Sequence, residues 1–268
     1  MVSARLQDKV ALVVGAGSRG EPAGTGYATA KLFAEHGAST LLVDNNRERA
    51  KVTEREILDA GGAASVFEGD VTSEEDCKAM VTACGERYGR LDILVNNVAT
   101  AGAGKVTEVG SEELDQVFAT NLRSMMLACR YAIPLMKAGG GGSILNISSI
   151  DGLRTGMSYN VPYAVTKAGA AHLARLIAVH HGRDNIRANC IAPGHIYAPF
   201  VRHMSPEKRD QRRKVAPLGT EGTAWDIAWA AVFLASDEAR WISGTILPVD
   251  GGLLAATPLA VYDNIVPA

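Results

Sequence analysis

The sequence predicts an α/β protein built on a doubly wound parallel sheet, in a single domain spanning residues 1–268. Three features predict it. Short, unbroken apolar runs at residues 10–14, 40–43, 65–68, 92–95, 143–149, 186–191 and 246–249 read as strands buried on both faces. Helix-length patterns separate these runs, and strands that alternate with helices indicate parallel pairing through crossovers. The first run also ends in a glycine-rich loop that leads straight into a helix, the opening of a dinucleotide-binding unit. At 268 residues and 47% hydrophobic content the chain can bury a full core. It carries no internal repeat, heptad pattern or linker.

The glycine loop reads Gly15-Ala-Gly-Ser-Arg-Gly-Glu-Pro-Ala-Gly24-Thr-Gly26. Its glycines permit tight turning and close backbone approach, while the N-terminus of the following helix faces a pyrophosphate. Two registers compete. Residues 15–20 spell G-x-G-x-x-G, yet a helix starting at Gly20 would have to absorb Pro22, Gly24 and Gly26 in its first turns. In the other register Gly15 closes the strand, residues 18–23 bulge outward, and Gly24 and Gly26 open the helix; this one is preferred. It places Asp44, at the end of the second run, twenty residues after Gly24. A carboxylate there accepts hydrogen bonds from an adenosine ribose and repels a 2′-phosphate. Asp44 therefore favours NAD over NADP. Arg19 argues the other way, as a cation that would hold such a phosphate, unless it is simply a solvated loop residue.

Further along, residues 47–60 read as a charged surface helix stopped by Gly61-Gly62. The third strand leads into Gly69-Asp70-Val71, and Thr72-Ser-Glu-Glu75 is a capping-box pattern opening the next helix. The fourth strand ends in Asn96-Asn97-Val98-Ala99. One long helix is expected from Ser111 to about Lys137, with Asn121, a poor helix-interior residue, at its middle. After glycines 139–142, the fifth strand ends in Ser148 and Ser149, and Pro162 fits the first turn of a helix rich in small residues. The sixth strand is closed by Pro193-Gly194. Between residues 198 and 215, Arg202, Lys208, Arg209, Arg212, Arg213 and Lys214 face only Glu207 and Asp210. The sharper reading is a substrate lid that selects an anion; the plainer one, which is favoured, is a solvated amphipathic helix.

Composition narrows the function. A formal net charge of −2 gives no field that would draw nucleic acid or an anionic membrane. The cysteines, Cys77, Cys84, Cys129 and Cys190, have no CxxC spacing and read as small buried hydrophobes in a reducing compartment. The N-terminal segment looks like neither a signal peptide nor a spanning helix, so a cytoplasmic location is the default expectation. No cluster of His, Cys and carboxylates suggests a metal.

Tyr163 and Lys167 stand four apart, so on a helix both side chains share one face. An ammonium beside a phenol favours the phenolate and would bring the tyrosine closer to proton transfer near neutrality. Taken alone, such a pair also fits an ordinary solvent-facing helix start.

Taken together, these motifs resemble the short-chain dehydrogenase/reductase family over nearly the whole chain. Gly15, Gly24 and Gly26 resemble its cofactor loop, with about five extra residues between the first two; Gly69-Asp70-Val71 resembles the segment at the adenine. Asn96-Asn97-Val98-Ala99 is similar to N-N-A-G, Asn121 falls at the family's helix asparagine, and Ser149, Tyr163 and Lys167 fall at its serine and Y-x-x-x-K positions. Pro193-Gly194-His195-Ile196-Tyr197-Ala198 resembles P-G-x-I-x-T. The resemblance implies a Rossmann-type fold binding NAD through Gly15, Arg19, Gly24, Gly26, Asp44, Asp70, Val71, Asn97, Pro193 and Ile196, together with Tyr163 and Lys167. It implies Tyr163 as general base, Lys167 lowering its pKa and holding the nicotinamide ribose, Ser149 bonding the substrate oxygen, and Asn121 positioning a relay water. It further implies a small-molecule alcohol or ketone substrate and a homotetramer. Several positions depart from the pattern: the longer loop, Val98, Ala198 in place of a threonine that would bond the nicotinamide amide, and a one-residue-longer spacing that leaves Ser148 competing with Ser149. Rival readings are an NADPH-dependent carbonyl reductase using Arg19 and a cofactor-binding regulator without catalysis.

Overall fold

A computed structural model describes residues 4–156 and 159–265. Seven strands form one parallel sheet: β1 Val10–Val14, β2 Ser39–Asp44, β3 Ala63–Glu68, β4 Ile93–Asn96, β5 Gly142–Ile147, β6 Ile186–Pro193 and β9 Ile246–Val249. Their order is β3-β2-β1-β4-β5-β6-β9. A separate two-stranded pair joins β7 (Ile196–Tyr197) to β8 (Gly222–Thr223).

The alternation along β1 shows why the sheet needs two covers. Ala11 and Val13 enter one core with residues of α1 (Thr25–Glu35), α2 (Arg47–Asp59) and α8 (Ala224–Ala235). Val10, Leu12 and Val14 enter the other, against α3 (Glu74–Tyr88), α5 (Ser124–Ala138) and α6 (Val161–His181). Residues of period two therefore sort between faces, both of them apolar. All four cysteines are buried free thiols. Trp225 packs edge-on against Tyr27 of α1, whereas Trp229 is half exposed and meets His36.

The strand order reverses between β1 and β4, which run parallel, and this is the switch point where open α/β sheets take ligands at the carboxyl ends of their strands. The preferred glycine-loop register holds: α1 begins at Thr25, with Gly24 as its N-cap. Several expected bounds shift for tertiary reasons. β3 starts at Ala63 because it pairs from there with Ser39, and β6 runs on to Pro193 because that residue pairs with Val249. The cap of α3 is Ser73, whose Oγ accepts from Asp76 N at 3.2 Å; Thr72 is instead drawn to Asp70. The largest difference is in the expected helix from residue 111 to 137. It is broken into α4 (Ser111–Phe118) and α5 by a π-helical turn at Ala119–Arg123 that contains Asn121. Such single wide turns occur often at functional sites. Among the described residues no helix is long and apolar enough to cross a membrane.

Candidate active site

The loop after β1 folds back on the end of β2. Gly15, at φ +80, donates from its N–H to Val43 O at 2.7 Å, and a Cβ there would meet Val98 Cγ2 at 2.8 Å. A Cβ on Gly26 would collide with the Gly15 carbonyl, so α1 enters closely behind the strand only because Gly26 lacks a side chain. Asp44 accepts from Gly17 N at 3.0 Å through Oδ2 and from Asn46 N at 3.0 Å through Oδ1. Gly17 was not among the residues the sequence singled out. It is tightly constrained, since a Cβ would stand 2.5 Å from Asp44 Oδ2, and the literal G-x-G spelling was the signal for it. Arg19 is exposed on the bulge.

These features fit a dinucleotide. No side chain caps the N-terminus of α1, no acidic residue stands in its first turn, and a Cβ on Gly24 would meet nothing closer than 3.9 Å, so the first-turn amides face open space. Each carboxylate oxygen of Asp44 keeps a lone pair for a ribose hydroxyl beyond its one backbone N–H. Asn97 Nδ2 donates to Gly15 O at 3.2 Å, tying the end of β4 to the loop. Asp70 is exposed and holds Thr72, while Val71 is buried beneath it against Cys77.

Ser148 and Ser149 both lie past the end of β5, and the structure separates their roles. Ser148 Oγ is buried and donates to Lys167 O at 2.6 Å. Ser149 Oγ instead accepts from Asp151 N at 3.1 Å, and its hydroxyl lies close enough to the Tyr163 phenol to lower its pKa. Lys167 is 2% exposed; its Nζ donates to Ile147 O at 2.7 Å and lies 5.6 Å from the centre of the Tyr163 ring. Ser149, Tyr163 and Lys167 thus converge at the carboxyl edge of β5.

Electrostatics at this cluster run opposite to the expectation that Lys167 draws the tyrosine toward neutrality. Burial pushes the Tyr163 phenol up to about 12, against a lowering by the Ser149 hydrogen bond, with the Asp151 charge adding to the rise. Burial also pulls Lys167 down to about 8. Desolvation disfavours both charged forms and is the largest cause of both shifts. Asn121 is fully buried, and its amide is spent locally. Oδ1 accepts from Thr100 N at 2.7 Å, and Nδ2 donates to Thr100 O at 2.9 Å and Thr166 Oγ1 at 3.2 Å. These bonds fasten the loop after β4 to α6.

The segment after β6 completes the edge. Ile196 N donates to Gly194 O at 2.9 Å, and Ala198 is buried. A short turn at Pro199–Val201 sets the half-exposed Phe200 ring 5.8 Å from that of Tyr163. The basic stretch beyond it forms α7 (Pro206–Lys214), and its charges are mostly answered. Asp210 takes Arg213 and Lys214, while Glu221, outside the stretch the sequence weighed, takes Arg209 and Arg212. The count of cations against two carboxylates therefore overstated the field, and Arg212, at 7% exposure, is no solvated residue. His195 is half buried; Nδ1 pairs with Arg212 O at 3.3 Å, and burial lowers its pKa.

A glycine-loop α/β sheet with Ser, Tyr and Lys gathered at its carboxyl edge defines a nicotinamide-dependent oxidoreductase scaffold. A family model described as enoyl-(acyl carrier protein) reductase matches residues 20–254. The chain is 38% identical over 249 residues to a 3-oxoacyl-(acyl-carrier-protein) reductase of Chlamydia muridarum, covering 92% of this chain and 98% of that protein. It is 36% identical over 263 residues to the levodione reductase of Leifsonia aquatica, covering 94% and 96%. A 7α-hydroxysteroid dehydrogenase solved with NADH and 7-oxo glycochenodeoxycholic acid superposes with a TM-score of 0.87 at 35% identity, covering 93% of this chain and 96% of that one. The chain belongs to the short-chain dehydrogenase/reductase family, and is an oxidoreductase of that family.

Proposed function

We propose that this chain transfers a hydride between a secondary alcohol, diols included, and NAD, giving a ketone, and that Tyr163 moves the accompanying proton. The observation that carries the reading is the convergence of Ser149, Tyr163 and Lys167 beside the glycine loop. A bound oxidised nicotinamide would supply the hydride acceptor. Tyr163 Oη takes the proton of the substrate hydroxyl, and Ser149 Oγ hydrogen-bonds the substrate oxygen as its charge develops. Lys167 holds the ribose; at about 8 its ammonium is poised to pass a proton near neutrality. Asn121 serves by fixing the Thr100 loop and α6 around the pocket.

Asp44 supports NAD over NADP, since a second anion beside a carboxylate that already faces the loop would be repelled. Gly15, Gly24 and Gly26 take the pyrophosphate, Asp70 and Val71 the adenine, and Asn97, Pro193 and Ile196 the nicotinamide side. Residues 198–215 cover the substrate, with Phe200 over Tyr163 as the apolar wall. The protein works in the cytoplasm on a small molecule, as a homotetramer whose contacts use exposed apolar residues of α4–α6 such as Phe118, Met126 and Val165.

The test is a screen of cyclic and acyclic secondary alcohols and diols with NAD and with NADP, followed by the absorbance of the reduced cofactor. Turnover with NAD at higher kcat/KM than with NADP is expected. NADP-only turnover would move the reading to the carbonyl reductase with Arg19 in play. NAD binding with no turnover on alcohols or the matching ketones would leave a cofactor-binding regulator.

A further inference from the structure

Helix α7 is strongly polar, yet one of its arginines is buried. Arg212 is the only buried residue of the helix, and its guanidinium makes directed contacts inward. One terminal nitrogen donates to Ile196 O at 3.0 Å and the other reaches Met204 Sδ at 3.4 Å, while Nε stands 3.0 Å from Glu221 Oε1 as an ion pair without hydrogen-bond alignment. The Glu221 side chain is only 9% exposed, and its other oxygen accepts from Arg209 Nε at 2.9 Å. Glu221 is held in turn by its neighbour: Gly222 pairs with Ile196 in the β7–β8 ladder, and its N–H donates to His195 O at 3.0 Å.

The contacts fall on three successive residues. His195 Nδ1 meets the Arg212 carbonyl, Ile196 O receives the Arg212 guanidinium, and the Tyr197 ring lies under the Arg209 guanidinium at 3.4 Å. Docking α7 by packing alone would use an apolar side chain at position 212, because a buried ion pair costs desolvation that an apolar residue of similar volume avoids. An apolar residue cannot donate to Ile196 O. The directional bond is what the arginine provides, and it acts on the segment where Ala198 supplies no hydroxyl.

We infer that Arg212 and Glu221 form a buried latch that positions residues 195–197, and with them the nicotinamide end of the cofactor, taking over the ordering that a hydroxyl at position 198 would provide. Arg212 is thus a positioning residue, acting through Ile196. The inference rests on the proposed place of Ile196 on the nicotinamide side. It also makes α7 and the nicotinamide segment one unit, so the helix does not open as an independent flap while the ion pair stands.

The test compares two ligands by calorimetry on the full chain: NAD, and ADP-ribose, which carries everything but the nicotinamide. Arg212→Met should weaken NAD about tenfold, the worth of roughly one net hydrogen bond, while ADP-ribose affinity stays at the wild-type value. Arg212→Lys, which reaches one partner at a time, should fall between. Because Arg212→Met leaves Glu221 with Arg209 alone and its Oε1 without a cation, the double variant R212M/E221M is read alongside it and replaces it if the single variant does not fold. The double variant should melt near the wild-type temperature and still show the selective loss of NAD. Equal losses for both ligands, or unchanged NAD affinity in the folded double variant, overturn the latch. A wild-type chain that binds neither ligand overturns the cofactor reading and the latch with it, whereas binding of both with no selective loss overturns the latch alone.

Discussion

Lys167→Met separates what the ammonium does for chemistry from what it costs the fold. Lys167 is 2% exposed, its Nζ donates to Ile147 O at 2.7 Å, and burial brings its pKa from 10.5 to about 8. The unfolded chain keeps the proton up to the ordinary lysine value, but the folded chain only to the lowered one. Between these the unfolded state binds more protons, so stability rises with pH through that window. At pH 7 the folded state carries the whole penalty, about 3 kcal/mol at about 1.4 kcal/mol per pKa unit. By pH 9.5 about 2 kcal/mol of it has gone. Methionine has similar volume and removes the penalty, but leaves Ile147 O without its donor, a cost of about 1–3 kcal/mol. Lys167→Met should therefore equal or exceed wild-type stability at pH 7. Its advantage should shrink by about 2 kcal/mol at pH 9.5, a relative melting shift of roughly 4–8 °C, with turnover lost at both. Urea unfolding of the two proteins, followed by far-UV circular dichroism at both pH values, measures this. A stability difference that does not change with pH would refute the buried ammonium.

Other substitutions probe the cofactor and substrate ends separately. Asp44→Asn keeps an acceptor for Gly17 N but removes the charge, so the preference for NAD over NADP should narrow by about tenfold or more; a constant ratio of dissociation constants would take Asp44 out of the choice. Ser149→Ala should cut kcat by about 100–1,000-fold with little change in stability, as for removal of one donor to a developing oxyanion. Ser148→Ala should do the reverse, costing about 1 kcal/mol of stability through its lost bond to Lys167 O while retaining most turnover. Steady-state kinetics and urea unfolding on the pair would expose a misassignment if the two effects were exchanged.

The parts of the fold that local chemistry dictates were legible. Pro22, Gly24 and Gly26 cannot sit comfortably in a helix interior, which put the start of α1 after the bulge, and α1 begins at Thr25. Apolar runs alternating with helices were enough for the parallel sheet, and the ordered series of motifs was enough for the family. Strand lengths were less legible, because Ala63 and Pro193 join the sheet through partners distant in sequence. The π turn around Asn121 is a small change of winding that leaves no mark on hydrophobic spacing; the awkward asparagine was its only trace. At the site, residue types and their gathering could be read, but not the sign of the electrostatics. Burial of Tyr163 and Lys167 is a tertiary quantity, and it turned both pKa values against the pairwise argument. Arg212 was hidden for a similar reason: in a run of charges it looks solvated until the β7–β8 pair brings Glu221 beneath it.

The central claim is that Tyr163 moves the proton, and Tyr163→Phe tests it most directly. The substitution keeps the ring beside Phe200 and removes only the hydroxyl. NAD affinity, by calorimetry, should stay within a few-fold of wild type, while turnover of the best alcohol from the screen falls to the detection limit. Turnover close to wild type in this variant would contradict the account.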